Sequence, residues 1–197
     1  METAANTEEL HQQHDDAVLW LKLNRPQALN ALTASLVDAL TRAIENAQRD
    51  PGVRVIVLTG EGRAFCAGAD LKDPARSRPE SGADFVKAIG ALTELIEACP
   101  LPVIAAINGI AVAGGLELVL ACDLVIAAES ARLGDAHSNY ALFPGGGATV
   151  RLPRKIGLNN AKLVMFTGDI RPASDWKTLG LVSQVVADEH EDRKSVV

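Results

Sequence analysis

Only three cysteines, Cys66, Cys99 and Cys122, occur in 197 residues, odd in number and far apart. That spacing excludes a disulfide or zinc framework and reads as buried thiols in a reducing compartment. Basic charge is also short, with Lys and Arg at 19 against 25 Asp and Glu, for a net charge of −6. A broad nucleic-acid footprint is excluded, although local basic spots for a phosphorylated small molecule are not. No apolar run reaches the roughly 18 residues that a membrane helix needs. The N-terminus, METAANTEELHQQHDD, is polar and lacks the apolar core of a signal peptide. The expectation is a cytoplasmic protein with neither a nucleic-acid nor a membrane partner.

The familiar catalytic signatures are missing too. There is no G-x-S-x-G elbow, no H-E-x-x-H and no Walker lysine behind a glycine-rich loop. Gly60-Glu61-Gly62 lacks the third glycine of a dinucleotide fingerprint, and Gly145-Gly146-Gly147 does not link a strand to a helix in that unit. None of His11, His14, His137 and His190 has a second ligand at metal spacing, so no metal is expected.

What is present is an α/β pattern with enough apolar sequence for one large core. Residues 1–16 are charged and Gln/His-rich without an apolar period, and are expected to form a flexible arm. AVLWLKL (17–23) reads as a strand. Thr33 caps a helix in which Leu36, Leu40 and Ile44 recur every four residues, up to Asp50-Pro51-Gly52. VRVIVLTG (53–60) and VIAAI (103–107) have the composition of strands buried on both faces. Between them, 72–82 reads as a mobile loop, and 83–98 as a helix presenting Phe85, Ile89, Leu92 and Ile96 on one face. GGLELVLA (114–121) is a short apolar helix and 123–129 a strand. Helical signals follow at 145–156, 158–166 and 173–179, then a last strand at 182–186. No linker divides two cores. One domain over 17–187 is expected, with a charged tail at 188–197.

Two turns carry chemical interest. Arg63-Ala64-Phe65-Cys66-Ala67-Gly68-Ala69-Asp70-Leu71 follows the strand at 53–60, and Asn108 to Glu117 joins the strand at 103–107 to a helix. Small residues let backbone approach a ligand, and a helix opening on Gly114-Gly115 has N–H groups without intrahelical partners. Such turns are either tight connections or two donors converging on one carbonyl oxygen. Glu117 sits between Leu116 and Leu118 in the apolar helix. A carboxylate there is either a paired structural acid or an acid–base group with a pKa raised by burial.

RAFCAGADL, followed about forty residues later by INGIAVAGGLELVLACDLVIAAESARLG, resembles the crotonase (enoyl-CoA hydratase/isomerase) superfamily. NRPQALNAL (24–32) and FPGGGATVRLPRKIG (143–157) match the same pattern in order, and the resemblance covers about 17–187. It implies a spiral of stacked ββα units that binds acyl-CoA thioesters and needs no cofactor beyond the CoA of the substrate. It further implies that Ala69 and Gly114 supply the N–H groups of an oxyanion hole. Arg25, Ala28, Ala67, Asp70 and Leu71 would line the CoA groove, with Arg25 near the phosphates. Glu117 matches the first catalytic glutamate of the hydratases.

Two departures stand out. The position of the second glutamate holds His137, so a Glu/His pair replaces two carboxylates; the alternative is a pocket-lining imidazole with no proton transfer. In an extended segment Asp135, His137 and Asn139 share one face, and either Asp135 or Asn139 could orient the ring. The family's C-terminal helical region, which packs on a trimer neighbour, also has no counterpart in the tail. The resemblance implies a homo-oligomer, trimer or hexamer, weakened by that difference. The expected function is reversible hydration of a 2-enoyl-CoA by Glu117 and His137. Double-bond isomerisation, C–C hydrolysis and non-catalytic CoA binding are the alternatives.

Overall fold

Val18–Leu23 (β2) alternates buried Leu19, Leu21 and Leu23 with half-buried Val18, Trp20 and Lys22, the period-two pattern of a strand packed on one face. In the computed structural model, which describes residues 8–73 and 79–188, this strand lies second in a six-stranded sheet. Its edge neighbour corrects the expectation of a flexible arm at 1–16. Leu10–Asp15 (β1) pairs antiparallel with β2, from Leu10 opposite Leu23 to Asp15 opposite Val18. Asp16, at φ 48°, makes the tight turn, a conformation Asp tolerates better than most residues. The strand escapes a periodicity search because Leu10 is its one buried apolar residue among polar ones. Residues 1–7 and nearly all of the expected tail lie outside the described residues.

The sheet runs β1-β2-β3-β5-β7-β10, with β3 at Val55–Gly60, β5 at Val103–Ile107, β7 at Leu124–Ala128 and β10 at Gln184–Val186. Every pair but β1/β2 is parallel. A second sheet, in the order β4-β6-β8-β9, is built from strands of two or three residues: Ala64–Cys66, Ile110–Val112, Arg132–Gly134 and Arg171–Pro172. After β3 and β5 the chain crosses to the second sheet and returns through a helix: β3, β4, α2 (Pro79–Glu97), then β5, β6, α3 (Gly114–Ala121). After β7 and β8 it continues through a 3₁₀ turn at His137–Tyr140 into α4 (Ala148–Ile156) and α5 (Leu158–Thr167). This is the stacked ββα spiral expected from the resemblance, with α6 at Ala173–Thr178 closing it.

The sharp corners between the sheets explain why the second sheet is hidden in the sequence. Its strands are too short to show a period. They are fixed instead by side-chain amides: Asn30 Nδ2 donates to Ala64 O (2.7 Å) and Asn108 Nδ2 to Gly62 O (2.8 Å). A Cβ on Gly115 would lie 2.1 Å from Cys66 O, so α3 can start this close to β4 only with glycine there.

Helix α1 (Ala34–Ala47) starts as expected, with Thr33 Oγ1 accepting from Leu36 N at 3.1 Å, and it buries Leu36, Leu40 and Ile44. Burying each such side chain contributes about 1.5–3 kcal/mol. Helix α2 begins at Pro79 rather than at 83, since proline is accepted in a first turn. This shortens the expected loop at 72–82, whose residues 74–78 lie outside the described ones. Its buried face carries Phe85, Ile89, Leu92 and Ile96. Among the described residues no helix is long and apolar enough to cross a membrane.

Candidate active site

Leu32 donates to Gly68 O and accepts from Asp70 N, both at 2.8 Å. This parallel bridge uses the near side of residues 68–70 and turns the N–H of Ala69 away from Leu32. Opposite, Ala113 N donates to Gly134 O at 3.1 Å while its own dihedrals are φ 51° and ψ −122°. An alanine rarely adopts that conformation, and here it opens α3 with the first free N–H on Gly114. The two turns face each other closely. A Cβ on Gly114 would stand 3.5 Å from Ala69 N, and one on Gly68 would stand 3.1 Å from Gly114 N. Among the described residues neither N–H has a protein acceptor. A side chain at Gly68, which has φ +93°, would be strained and would fill the gap between the two donors.

One turn further along α3 lies Glu117, 2% exposed. Its Oε1 accepts from Gly146 N at 2.7 Å and from Ala148 N, in the first turn of α4, at 3.1 Å. Its Oε2 is thereby presented to His137, whose Nε2 is 3.8 Å away. On the other side of the ring, His137 Nδ1 lies 3.1 Å from Asp135 Oδ1, so the proton on Nδ1 points at Asp135 and Nε2 faces the glutamate. All three groups are buried. Burial pushes the Glu117 pKa up, and the Ala148 N–H, His137 and the Gly146 N–H only partly offset it. For His137, burial pulls downward, but the hydrogen bond and charge of Asp135, and the charge of Glu117, outweigh it and raise the pKa. A buried carboxyl with a raised pKa beside a histidine with a raised pKa is a pair of the kind used for acid–base chemistry.

Beside the Ala69 turn opens a surface pocket of about 370 Å³, lined by Ala28, Ala67, Ala69, Asp70 and Leu71 among others, with Arg63 and Lys72 as its cations. Leu71 is 57% exposed. The pocket has the apolar-with-cations character that suits a phosphorylated, partly apolar ligand.

The sequence matches the enoyl-CoA hydratase/isomerase family over residues 13–196. The chain belongs to that family, within the crotonase superfamily. Among curated proteins it is 39% identical over 181 residues to human mitochondrial methylglutaconyl-CoA hydratase, covering 91% of this chain and 53% of that protein. Among solved structures it resembles an enoyl-CoA hydratase from Bacillus anthracis, with a TM-score of 0.88 and 43% identity over 91% of this chain and 70% of that one. It also resembles DspI of Pseudomonas aeruginosa, with a TM-score of 0.90 and 31% identity over 95% of this chain and 71% of that one. The chain spans between 53% and 65% of the length of the first curated relatives it matches.

The residues carried over from this crotonase family fall into two groups. Ala28, Ala67, Ala69, Asp70 and Leu71 share the pocket wall, while Gly114 faces Ala69 across the gap, Glu117 follows one turn along α3, and His137 lies beside Glu117. Arg25 is different. Its Nε pairs with Glu9 Oε1 (2.9 Å), its Nη2 with Asp70 Oδ2 (2.9 Å), and its Nη1 donates to Ala31 O (2.6 Å). Three of its five N–H donors, one on each nitrogen, are thus committed to the protein, and it is not among the pocket-lining residues. Burial alone would raise the Asp70 pKa, but the Lys72 N–H and Arg25 hold it below the usual carboxylate value. The extended segment considered for 135–139 is also corrected. Ala136 is left-handed (φ 55°) and a 3₁₀ turn follows, so Asn139 donates to Gly168 O at 2.9 Å and only Asp135 meets the ring. Sequence reading missed Arg63, Lys72 and the buried Arg151. The signal for Arg151 was an arginine on the buried side of α4, at the end of the GGGATVR run.

Proposed function

We propose that the chain is a 2-enoyl-CoA hydratase. The observation that carries this is the divided Glu117 carboxylate: Oε1 fixed by two N–H groups, Oε2 held toward His137, one helical turn from the free N–H of Gly114. In this reading the thioester carbonyl accepts from the Ala69 and Gly114 N–H groups, and the CoA moiety follows the pocket past Leu71 toward Lys72 and Arg63. Water adds to the β-carbon and gives a proton to Glu117 Oε2. The negative charge gathers on the thioester oxygen, where each N–H contributes about 3–4 kcal/mol to the transition state. The α-carbon then takes the proton from His137 Nε2, and the proton on Glu117 passes to His137 to restore both groups. Asp135 holds the ring in the tautomer this exchange requires.

Crotonyl-CoA tests the reading directly, because hydration abolishes the absorbance of the conjugated thioester. The expected product is heavier by one water. A panel of saturated, 2-enoyl, 3-enoyl and 3-oxo thioesters followed by mass spectrometry separates the alternatives. The buried Asp135–His137 pair supports a second reading, hydrolytic C–C cleavage of a 3-oxo substrate, which would release a shortened thioester and leave 2-enoyl substrates untouched. A 3-enoyl substrate converted without gain of water would mean isomerisation. Binding of CoA with no substrate turned over would leave a non-catalytic paralogue.

The proposal includes a homo-oligomer. Phe143 and Phe166 are 82% and 78% exposed on segments tied together by the Asn139–Gly168 bond, an apolar surface that a second copy would cover. Sedimentation showing a monomer at all concentrations would remove this element.

A further inference from the structure

Arg151 is 6% exposed on α4, and a charge that deep is seldom without a purpose. Its Nε and Nη2 donate to Glu97 Oε2 at 3.0 and 2.7 Å. Its Nη1 reaches across to Gly146 O at 2.9 Å and Thr93 Oγ1 at 3.2 Å. Thr93, fully buried on α2, has its hydroxyl 2.9 Å from the same Gly146 O and 2.8 Å from Gly90 O, its single proton serving one of them at a time. Gly146 is therefore gripped at both ends, with its N–H on the Glu117 carboxylate and its C=O on a buried cation and hydroxyl. There is no slack between these contacts. A Cβ on Gly146 would lie 2.7 Å from Glu117 Oε2 and 2.9 Å from Ile89 Cγ2, and one on Gly147 would lie 2.0 Å from Arg151 Nη1. The glycine loop is moulded between the guanidinium and the carboxylate.

A clamp between α2 and α4 needs only the Arg151–Glu97 pair, and the Glu97 side chain is half exposed. Sending Nη1 inward to a loop carbonyl adds a desolvation cost that the clamp itself does not require. We propose that Arg151 and Thr93 are positioning residues that set the Glu117 carboxylate through Gly146. The inference rests on the acid–base role given to Glu117 above. Loosening Gly146 withdraws an N–H that stabilises the carboxylate, so Oε2 would wander and the ionised form would weaken. The other charged groups near Glu117 are His137 and Asp135 from the 135–137 segment. The Arg151–Glu97 pair comes from α4 and α2, and Cys66 on β4 is a thiol held neutral by burial, its pKa pushed up to about 12.

The test measures kcat, KM and the pH profile with crotonyl-CoA for Thr93→Val, Thr93→Ser, Arg151→Lys and Glu117→Gln. Misplacing a reacting group by an ångström can cost about 100-fold, so Thr93→Val should lose about 10-fold and Arg151→Lys about 10- to 100-fold. The loss should fall in kcat with KM nearly unchanged, and the acid limb of the profile should move to higher pH. Thr93→Ser should restore both. If Thr93→Val and Arg151→Lys keep kcat and the acid limb while Glu117→Gln is inactive, positioning is overturned and the acid–base reading stands. If Thr93→Val and Thr93→Ser both lose melting temperature and rate with an unmoved limb, the network is only structural and the proposal falls. Full activity in Glu117→Gln overturns the acid–base reading and this inference with it.

Discussion

The two halves of the candidate site are made of different material. The Ala69/Gly114 half is backbone: two N–H groups set free by a parallel bridge on one side and, on the other, an alanine at φ 51° and ψ −122°. The Glu117/His137 half is side chain, held by N–H groups from α4 and its preceding loop and by a buried aspartate. The difference decides how each can change. A backbone donor survives nearly any side-chain substitution that leaves its turn intact, so the first half is a fixed electrostatic device. The second half can be retuned one residue at a time, and the resemblance sets His137 where the hydratases have their second glutamate. In the proposed mechanism one pair of backbone donors thus serves a different proton inventory.

The largest effect should come from the side-chain half. Glu117→Gln keeps shape and hydrogen bonds but removes the base, and turnover should fall by about 10²–10⁴-fold in a single-turnover or steady-state assay. Stability should move the other way at neutral and higher pH. A raised carboxylate pKa contributes stability below the unfolded value, and that stability is lost as pH rises through the folded value. The variant escapes this loss, so its melting temperature should exceed the wild type's on the alkaline side. A full-rate Glu117→Gln enzyme would end the mechanism but not the family assignment.

Gly114→Pro attacks the backbone half by deleting one N–H outright at the first position of α3, although its ring also constrains the strained Ala113 before it. Turnover should drop by at least about 100-fold, with circular dichroism establishing that the fold is retained. Gly114→Ala sharpens the comparison. Its Cβ would meet its nearest neighbours at 3.4 Å or more and its N–H remains, so it should lose far less. Equal losses in the two variants would mean that bulk, not the donor, matters there.

His137→Gln comes next. If the ring transfers a proton, the rate should fall by about 100-fold and the alkaline limb of the pH profile should disappear. In the wild type that limb should lie above pH ~6.5, because Asp135 and Glu117 outweigh burial and raise the histidine. Linkage gives a second readout. A raised histidine contributes stability that is complete below its unfolded pKa and is lost as pH climbs through the folded one, so the variant's melting temperature should vary less with pH across that range. A loss confined to KM would make His137 a pocket wall.

These contrasts also mark where the sequence was legible. Helix α3 and strand β5 match the expected residues end to end, because an apolar octet opening on two glycines and a β-branched run before Asn108 are local signals. The capped start of α1 was local too. Strands β4, β6 and β8 of the second sheet are too short to carry a period and β1 has a single buried apolar anchor, so none of them could be read, whereas β10, equally short, was marked by its Val-rich run. In the site, the glycine turns and the isolated Glu117 were visible as anomalies, and the resemblance gave them roles. The pairing of His137 with Asp135 alone was not visible, because it depends on a left-handed Ala136. Nor was Arg151, whose partners Thr93 and Glu97 lie more than fifty residues away in sequence.

Arg25 gives the smallest expected effect and the cleanest separation of two readings. The resemblance assigned it to the CoA phosphates, whereas its guanidinium is occupied by Glu9, Asp70 and Ala31 and braces the turn that carries Ala69. A phosphate ligand and a brace fail differently. Removing a ligand raises KM for acyl-CoA and leaves a pantetheine thioester, which lacks the nucleotide phosphates, unaffected. Removing a brace loosens the Ala69 N–H and lowers kcat for both thioesters alike. Arg25→Met should therefore cost about 3- to 10-fold in kcat on crotonyl-CoA and on crotonyl-pantetheine, well below the loss from deleting an oxyanion donor. The Arg63 and Lys72 side chains at the pocket should show the opposite pattern. Arg63→Met with Lys72→Met should raise KM for the CoA thioester several-fold and leave the pantetheine thioester nearly unchanged. A KM effect in Arg25→Met that vanishes with the pantetheine substrate would return Arg25 to the phosphates and show that its three partners release it when CoA binds.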